Sequence, residues 1–136
     1  MSAQDFIGKW KFVEAENFEE YLKELGVGLM ARKAAVNLKP TLEITNEGDV
    51  WHFNANSSLK NKDVSFKLGE EFEGTSSDGR AFKSVVVFEN GKFVQTQKKI
   101  KDSDKESSIV RSIENGKLIV TFKSGSVVAR RIYVRE

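Results

Sequence analysis

Val85-Val86-Val87-Phe88-Glu89-Asn90-Gly91-Lys92-Phe93-Val94-Gln95 decides the fold class of this 136-residue chain. β-Branched and aromatic residues run into Asn-Gly and out of it again. A two-residue type I′ turn needs positive φ at both central positions, which Asn and Gly accept at little steric cost. The same solution returns at Glu114-Asn115-Gly116-Lys117, between apolar residues 109–113 and 118–122. Both read as β-hairpins. Working outward, Asn46-Glu47-Gly48-Asp49, Asn61-Lys62-Asp63, Ser76-Ser77-Asp78-Gly79 and Ser124-Gly125-Ser126 supply further turns at short, fairly even intervals, the punctuation of an antiparallel meander. Residues 82–88, 93–97 and 127–134 are rich in Val, Phe and Ile, so strand is predicted almost throughout from Thr41 onward.

Before Thr41 the period changes. Phe18, Tyr21, Leu22 and Leu25 fall at i, i+3, i+4 and i+7, the stripe of a helix with one buried face. Asn17 is its expected N-cap, Glu20 could complete a capping box, and Gly26 stands where a helix commonly ends in the left-handed conformation. Val27, Met30, Ala31, Ala34 and Ala35 form a second stripe, and Pro40, the only proline, marks the exit into strands. Residues 6–13 read as a first strand. The predicted order is strand, two short helices, then about nine strands, in one domain spanning residues 1–136. So many sequential antiparallel strands must close or stack to hide their edges, and about ten in a closed barrel enclose more room than side chains need to fill. A ligand cavity lidded by the helix pair follows from that.

Composition removes several kinds of chemistry. The chain has no cysteine, which excludes disulfides, thiolate catalysis and cysteine-ligated metal. Its single histidine, His52, leaves too few imidazoles for most zinc enzymes, and no metal, cofactor or enzymatic activity is expected. Lys and Arg total 22 against 20 Asp and Glu, a net charge of +2, too balanced for a protein that relies on neutralising many phosphates. The longest undiluted apolar run, Val85-Val86-Val87-Phe88, falls far short of the roughly 20 residues of a spanning helix. Met1-Ser2-Ala3-Gln4-Asp5 lacks the basic and apolar regions of a signal peptide, and the chain reads as soluble and intracellular.

Several motif matches have plainer explanations. Gly26-Val27-Gly28-Leu29-Met30-Ala31 matches a dinucleotide fingerprint by letter, but a helix precedes it and antiparallel strands follow, so the glycines are read as the break between helices. Asp102, Asp104 and Glu106 lack the glycine and closing glutamate of a calcium loop and read as a solvated hairpin loop. Two arginines carry more. Arg111 shares a strand face with the apolar Ile109 and Ile113 and so reads as an inward charge. The plainer alternative is that Arg111 ends its strand and Arg131 lies outside, because charged residues are seldom buried unpaired. On the last strand Arg131 and Tyr133 share a face with Val127 and Ala129, while Val128, Arg130, Ile132 and Val134 take the other, and alternation alone leaves the inner face open. Inward guanidiniums need a partner. A carboxylate entering the barrel would supply one through charge-assisted hydrogen bonds to two arginines and a phenol.

Gly8-Lys9-Trp10-Lys11-Phe12, followed by Asn17-Phe18-Glu19-Glu20-Tyr21-Leu22, resembles the amino-terminal signature of intracellular lipid-binding proteins, the cytosolic fatty-acid-binding family. The resemblance continues through Gly26-Val27-Gly28, Arg32-Lys33, Lys39-Pro40 and Phe66-Lys67-Leu68-Gly69-Glu70-Glu71-Phe72 to Arg131-Ile132-Tyr133, and is nearest to the heart, adipocyte and myelin branch. It implies an all-β fold: a ten-stranded antiparallel up-and-down β-barrel with a helix-turn-helix lid between the first two strands. It also implies that Arg111, Arg131 and Tyr133 hold a ligand carboxylate, since retinol-binding relatives have glutamines at the two arginine positions. Phe18, Tyr21, Met30, Asp78, Arg80, Gln95 and Gln97 match positions that line or gate the cavity, and Leu59 stands where several relatives have a portal phenylalanine. Lys23, Arg32 and Lys33 resemble a basic lid patch that touches anionic membranes or serves nuclear import.

The expected function is a non-enzymatic, monomeric cytosolic carrier, with possible nuclear entry, that reversibly binds long-chain fatty acids. Retinoic acid, also an apolar carboxylate, is the main rival ligand. Burying about 15 methylenes at roughly 0.8 kcal/mol each sets an upper limit near 12 kcal/mol before ordering costs.

Overall fold

Each Asn-Gly pair closes a hairpin as its chemistry requires. Asn90 and Gly91 sit at φ 52° and 76°, and Asn115 and Gly116 at 53° and 76°. The computed structural model describes residues 2–57, 61–75, 80–102 and 104–136. One turn of 3-10 helix (Ala3–Phe6) leads into β1 (Gly8–Glu16), then α1 (Phe18–Glu24) and α2 (Leu29–Asn37). The strands β2 (Thr41–Glu47), β3 (Val50–Asn56), β4 (Asn61–Lys67) and β5 (Phe72–Thr75) follow. β6 (Ala81–Glu89), β7 (Lys92–Lys99), β8 (Ser107–Glu114), β9 (Lys117–Ser124) and β10 (Val127–Arg135) complete the chain.

All ten strands join one antiparallel sheet in the order β4-β3-β2-β1-β10-β9-β8-β7-β6-β5, a nearly closed up-and-down barrel with both helices between β1 and β2. The expected fold class is correct. Among the described residues the seam between β4 and β5 carries no strand pairing and is bridged by side chains and a turn. Phe66 stacks on Phe72 with ring centroids 5.5 Å apart, the Gly69 amide donates to the Val86 carbonyl at 2.8 Å, and the Lys62 ammonium donates to the Thr75 carbonyl.

Two clusters divide the interior. The larger contains no residue of α1 or α2 and centres on Phe93, whose ring meets those of Phe6, Trp51, Phe53 and Phe88 edge-on at 4.9–5.4 Å. Edge-to-face aromatic pairs add to the area they bury, which makes this end the stiff one. The smaller cluster seats Tyr21, Leu22, Leu25 and Val27 against Ala129 of β10 and so docks the lid.

Three local readings change. Asn61-Lys62-Asp63 forms no turn: it opens β4, where Asn61 pairs with Asn56 and Asp63 with Asn54. Its polarity reflects a strand that lacks a partner on one side. Asn17 makes no side-chain cap on α1. It adopts the left-handed conformation (φ 59°), and its Nδ2 donates to the Val128 carbonyl at 3.0 Å, so a tertiary bond replaces the predicted capping box. The second stripe is also out of phase. Val27, Ala31, Ala35 and Val36 face the small cluster, whereas Ala34 and Met30 are exposed.

Candidate ligand-binding cavity

Strand alternation carries one side chain in two into the barrel. On β8 the inner row is Ser107, Ile109 and Arg111, and on β10 it is Ala129, Arg131 and Tyr133, which settles the face that alternation left open. Between these strands and β2–β4 lies a cavity of about 220 Å³. Leu42, Phe53, Val64, Phe66 and Phe72 make its apolar side, and Ser84, Gln95, Gln97, Arg111 and Tyr133 its polar side.

Arg111 lies over the Phe53 ring, 4.7 Å from the centroid, and its Nη1 donates to Gln95 Oε1 at 2.9 Å. Burial pushes its pKa down to about 10, against a smaller opposing influence from Tyr133. Arg131, 5% exposed, stands between the rings of Phe12 and Phe18 at 4.4 and 4.7 Å. Its Nε donates to the Tyr133 hydroxyl at 3.1 Å and its Nη2 to the Leu38 carbonyl at 3.0 Å. Neither guanidinium has a carboxylate within ion-pair distance among the described residues. Arg111 and Tyr133 border the cavity directly, and Arg131 reaches it through Tyr133. Because Tyr133 accepts from Arg131, its own proton is free to donate to a ligand oxygen.

The polar wall continues to the lid. Tyr21 donates to Ser107 Oγ at 2.9 Å, and Ser107 donates to Gln97 Oε1 at 2.8 Å. Burial raises the Tyr21 pKa, and the Ser107 bond partly opposes the rise. Phe18 packs on Phe122 at 5.1 Å and roofs Arg131. Phe18, Tyr21, Gln95 and Gln97 therefore sit on or over the cavity.

Other sequence candidates lie elsewhere. Met30 does not line the cavity: at 86% exposure it points into solvent from α2, because the buried phase of that helix runs through Ala31 and Ala35. Arg80 is a strut and no part of the cavity wall. It donates to the carbonyls of Leu25 and Gly26 and pairs with Asp104 at 3.6 Å, while Lys105 pairs with Glu24 at 2.9 Å. Cations on the last carbonyls of α1 also meet the negative end of its dipole. Leu59 and Asp78 fall outside the described residues. Of the basic lid residues, Lys23 is exposed, whereas Arg32 and Lys33 converge on Glu19 at 3.7 and 3.2 Å, and Arg32 also donates to the Val27 carbonyl. His52 Nδ1 meets Ser65 Oγ at 2.7 Å on the outer face, away from the cavity.

Sequence reasoning missed Lys62 and Ser107, and it read Asp104 as part of a solvated loop, whereas Asp104 is buried and paired with Arg80. Lys62 is two and four residues from Val64 and Phe66, and Ser107 two from Ile109, so period-two bookkeeping would have placed both on inner faces. Asp104 is 9% exposed and meets Arg80, which comes from a distant segment that no local pattern announces.

A family model described as Lipocalin / cytosolic fatty-acid binding protein family matches residues 7–136. The chain belongs to that family. Among curated members it is 65% identical over 134 residues to fatty acid-binding protein homolog 6 of Caenorhabditis elegans, covering 98% of this chain and 99% of that one. Against the adipocyte fatty acid-binding protein of Pygoscelis papua the identity is 44% over 130 residues, covering 96% of each. Apo lipid binding protein 8 of Caenorhabditis elegans, a crystal structure, matches with a TM-score of 0.96 at 51% identity, covering 100% of this chain and 99% of that one. Family and fold make the protein a lipid-binding barrel. Among the described residues no helix is long and apolar enough to cross a membrane.

Proposed function

We propose that the protein is a non-enzymatic carrier that reversibly binds one long-chain fatty acid in the barrel, with the carboxylate held by Arg111, Arg131 and Tyr133. One observation carries this reading: a buried guanidinium, Arg131, and a half-buried one, Arg111, neither with a carboxylate partner among the described residues, stand at a cavity whose other side is aliphatic and aromatic. Desolvated cations of this kind are unfavourable alone, and an incoming carboxylate offsets that penalty with charge-assisted hydrogen bonds. An entering carboxylate meets Arg111 and the Tyr133 hydroxyl, and Arg131 polarises that hydroxyl from behind. The acyl chain then covers Phe53, Val64, Phe66 and Phe72. The names of the relatives, which specify fatty acids, support the same ligand class. The reading places the carrier in the cytosol as a monomer, with Lys23 on the lid free to meet anionic membrane surfaces.

Delipidated protein titrated with a fluorescent fatty acid should bind saturably near one equivalent. Oleate should displace the probe, and Arg111→Gln and Arg131→Gln should each weaken binding by about tenfold or more. Unaltered affinity in both variants would overturn the carboxylate assignment, and displacement by retinoic acid but not oleate would reassign the ligand.

A further inference from the structure

Gln95 and Gln97 follow one another on the inner face of β7, Ser84 faces Gln97 in register from β6, and all three line the cavity. Two hydrogen-bond chains run into this trio. A guanidinium can only donate, so Arg111 Nη1 holds the Gln95 side-chain oxygen toward itself and leaves the Gln95 amide protons for Ser84, whose Oγ accepts at 3.5 Å. From the lid, Tyr21 donates to Ser107, and Ser107 donates to Gln97 Oε1 at 2.8 Å. Each chain ends on a donor. The Ser84 hydroxyl proton and the Gln97 Nε2 protons have no acceptor among the described residues, although Ser84 is only 1% exposed. Directly opposite residues on one face of an antiparallel pair hold their Cβ atoms about 5 Å apart, so one oxygen atom can accept from both ends. Phe72 borders Ser84 in register on β5, which places the donors beside the apolar side of the cavity.

We propose that Ser84 and Gln97 form a neutral subsite for an acceptor oxygen on the acyl chain, so that the cavity takes long-chain acids bearing a hydroxyl or keto group along the chain as well as plain ones. This rests on the carrier reading above. The carboxylate occupies the Arg111 and Tyr133 end, and the Gln95 amide stands between that end and the subsite, so the oxygen recognised there belongs to the chain and not to the head group. In an apolar cavity without such donors, a chain hydroxyl or ketone would forfeit its hydration and bind far more weakly than a methylene. Either oxygen has two lone pairs, one for the Ser84 hydroxyl and one for the Gln97 amide. The fixed donor chains behind both groups mean that neither side chain has to be reorganised to make these bonds.

The test is displacement of a fluorescent fatty acid by octadecanoate and by octadecanoates with a hydroxyl or a keto group on carbon ten or carbon twelve, in the parent, Gln97→Met and Ser84→Ala. The parent should bind at least one oxygenated acid within about tenfold of octadecanoate. For that acid, the ratio of its affinity to that of octadecanoate should fall by about threefold or more in each variant, a readout that cancels any general loss of cavity shape. A smaller fall in either variant, or a parent that binds every oxygenated acid more than about tenfold more weakly than octadecanoate, would overturn the subsite while leaving the carrier reading intact. Failure of octadecanoate to displace the probe from the parent would instead remove the carrier reading, and the subsite with it.

Discussion

Phe93, at the helix-free end, is fully buried among the rings of Phe6, Trp51, Phe53 and Phe88, whereas α2, at the lidded end, buries none of its residues and leaves Leu29 and Met30 exposed. One end of the barrel is held by dense aromatic packing. The other is held by α1, by a few polar ties to the Leu25-Gly26 turn, and by a loosely seated second helix. Few buried apolar contacts mean a low local cost of opening. The contrast therefore assigns stability to one end and the lower cost of opening to the other, with the cavity between them.

The largest effect that would break this comparison is at the packed end. Phe93→Ala should lower the unfolding free energy by about 3–5 kcal/mol in urea titrations. A loss as small as that at the lid would show that the aromatic cluster is not the stabilising half. Arg111→Met should do the opposite in ligand-free protein, stabilising it by about 1 kcal/mol, because an apolar side chain removes a desolvated charge that has no carboxylate partner among the described residues. Burial brings the folded-state pKa of Arg111 to about 10, below its ordinary value, so its penalty is full below pH ~10 and falls as pH rises through it. The advantage of the variant should accordingly shrink between pH ~9 and ~11, which urea titrations at the two values would show.

At the lidded end, Arg80→Met removes the donors to Leu25 and Gly26 and the partner of Asp104, so stability should fall by about 1 kcal/mol and fatty-acid release should quicken. Stopped-flow off-rates identical to the parent would show that the strut does not hold the lid. The smallest effect is expected from Met30→Ser, within about 0.5 kcal/mol in stability and without change in fatty-acid affinity. A weakened affinity there would mean that α2 turns its Met30 face inward when ligand binds.

Much of this architecture was legible because it is local. The two Asn-Gly turns, the strand segments and the α1 stripe depend on backbone preference and on the polarity of neighbours a few residues apart. Ile109 and Ile113 suggested an inward face for Arg111, and the structure bears that out over the alternative of a strand-end charge. Elsewhere local signals misled. Asn61-Lys62-Asp63 looked like a turn because polar residues cluster there, but pairing with β3 extends them into strand. Asn17 looked like a cap, yet the Val128 carbonyl takes its amide. Met30 fitted a helical stripe, but the lid settles on Ala31 and Ala35, whose small side chains allow closer packing.

By itself the sequence determined the element types, the hairpin turns, the absence of thiol and multi-histidine chemistry, and the inventory of two arginines and a tyrosine suited to a carboxylate. Only the tertiary structure decided that Tyr133 and Arg111 border one cavity while Arg131 stands behind the phenol, that Arg80 braces the lid, and that Lys62 reaches the seam. The reason is physical. Turn and strand preferences act through covalent neighbours, whereas the surroundings of a buried charge are assembled from strands far apart in the chain, and period-two alternation specifies a face without specifying what lies opposite it.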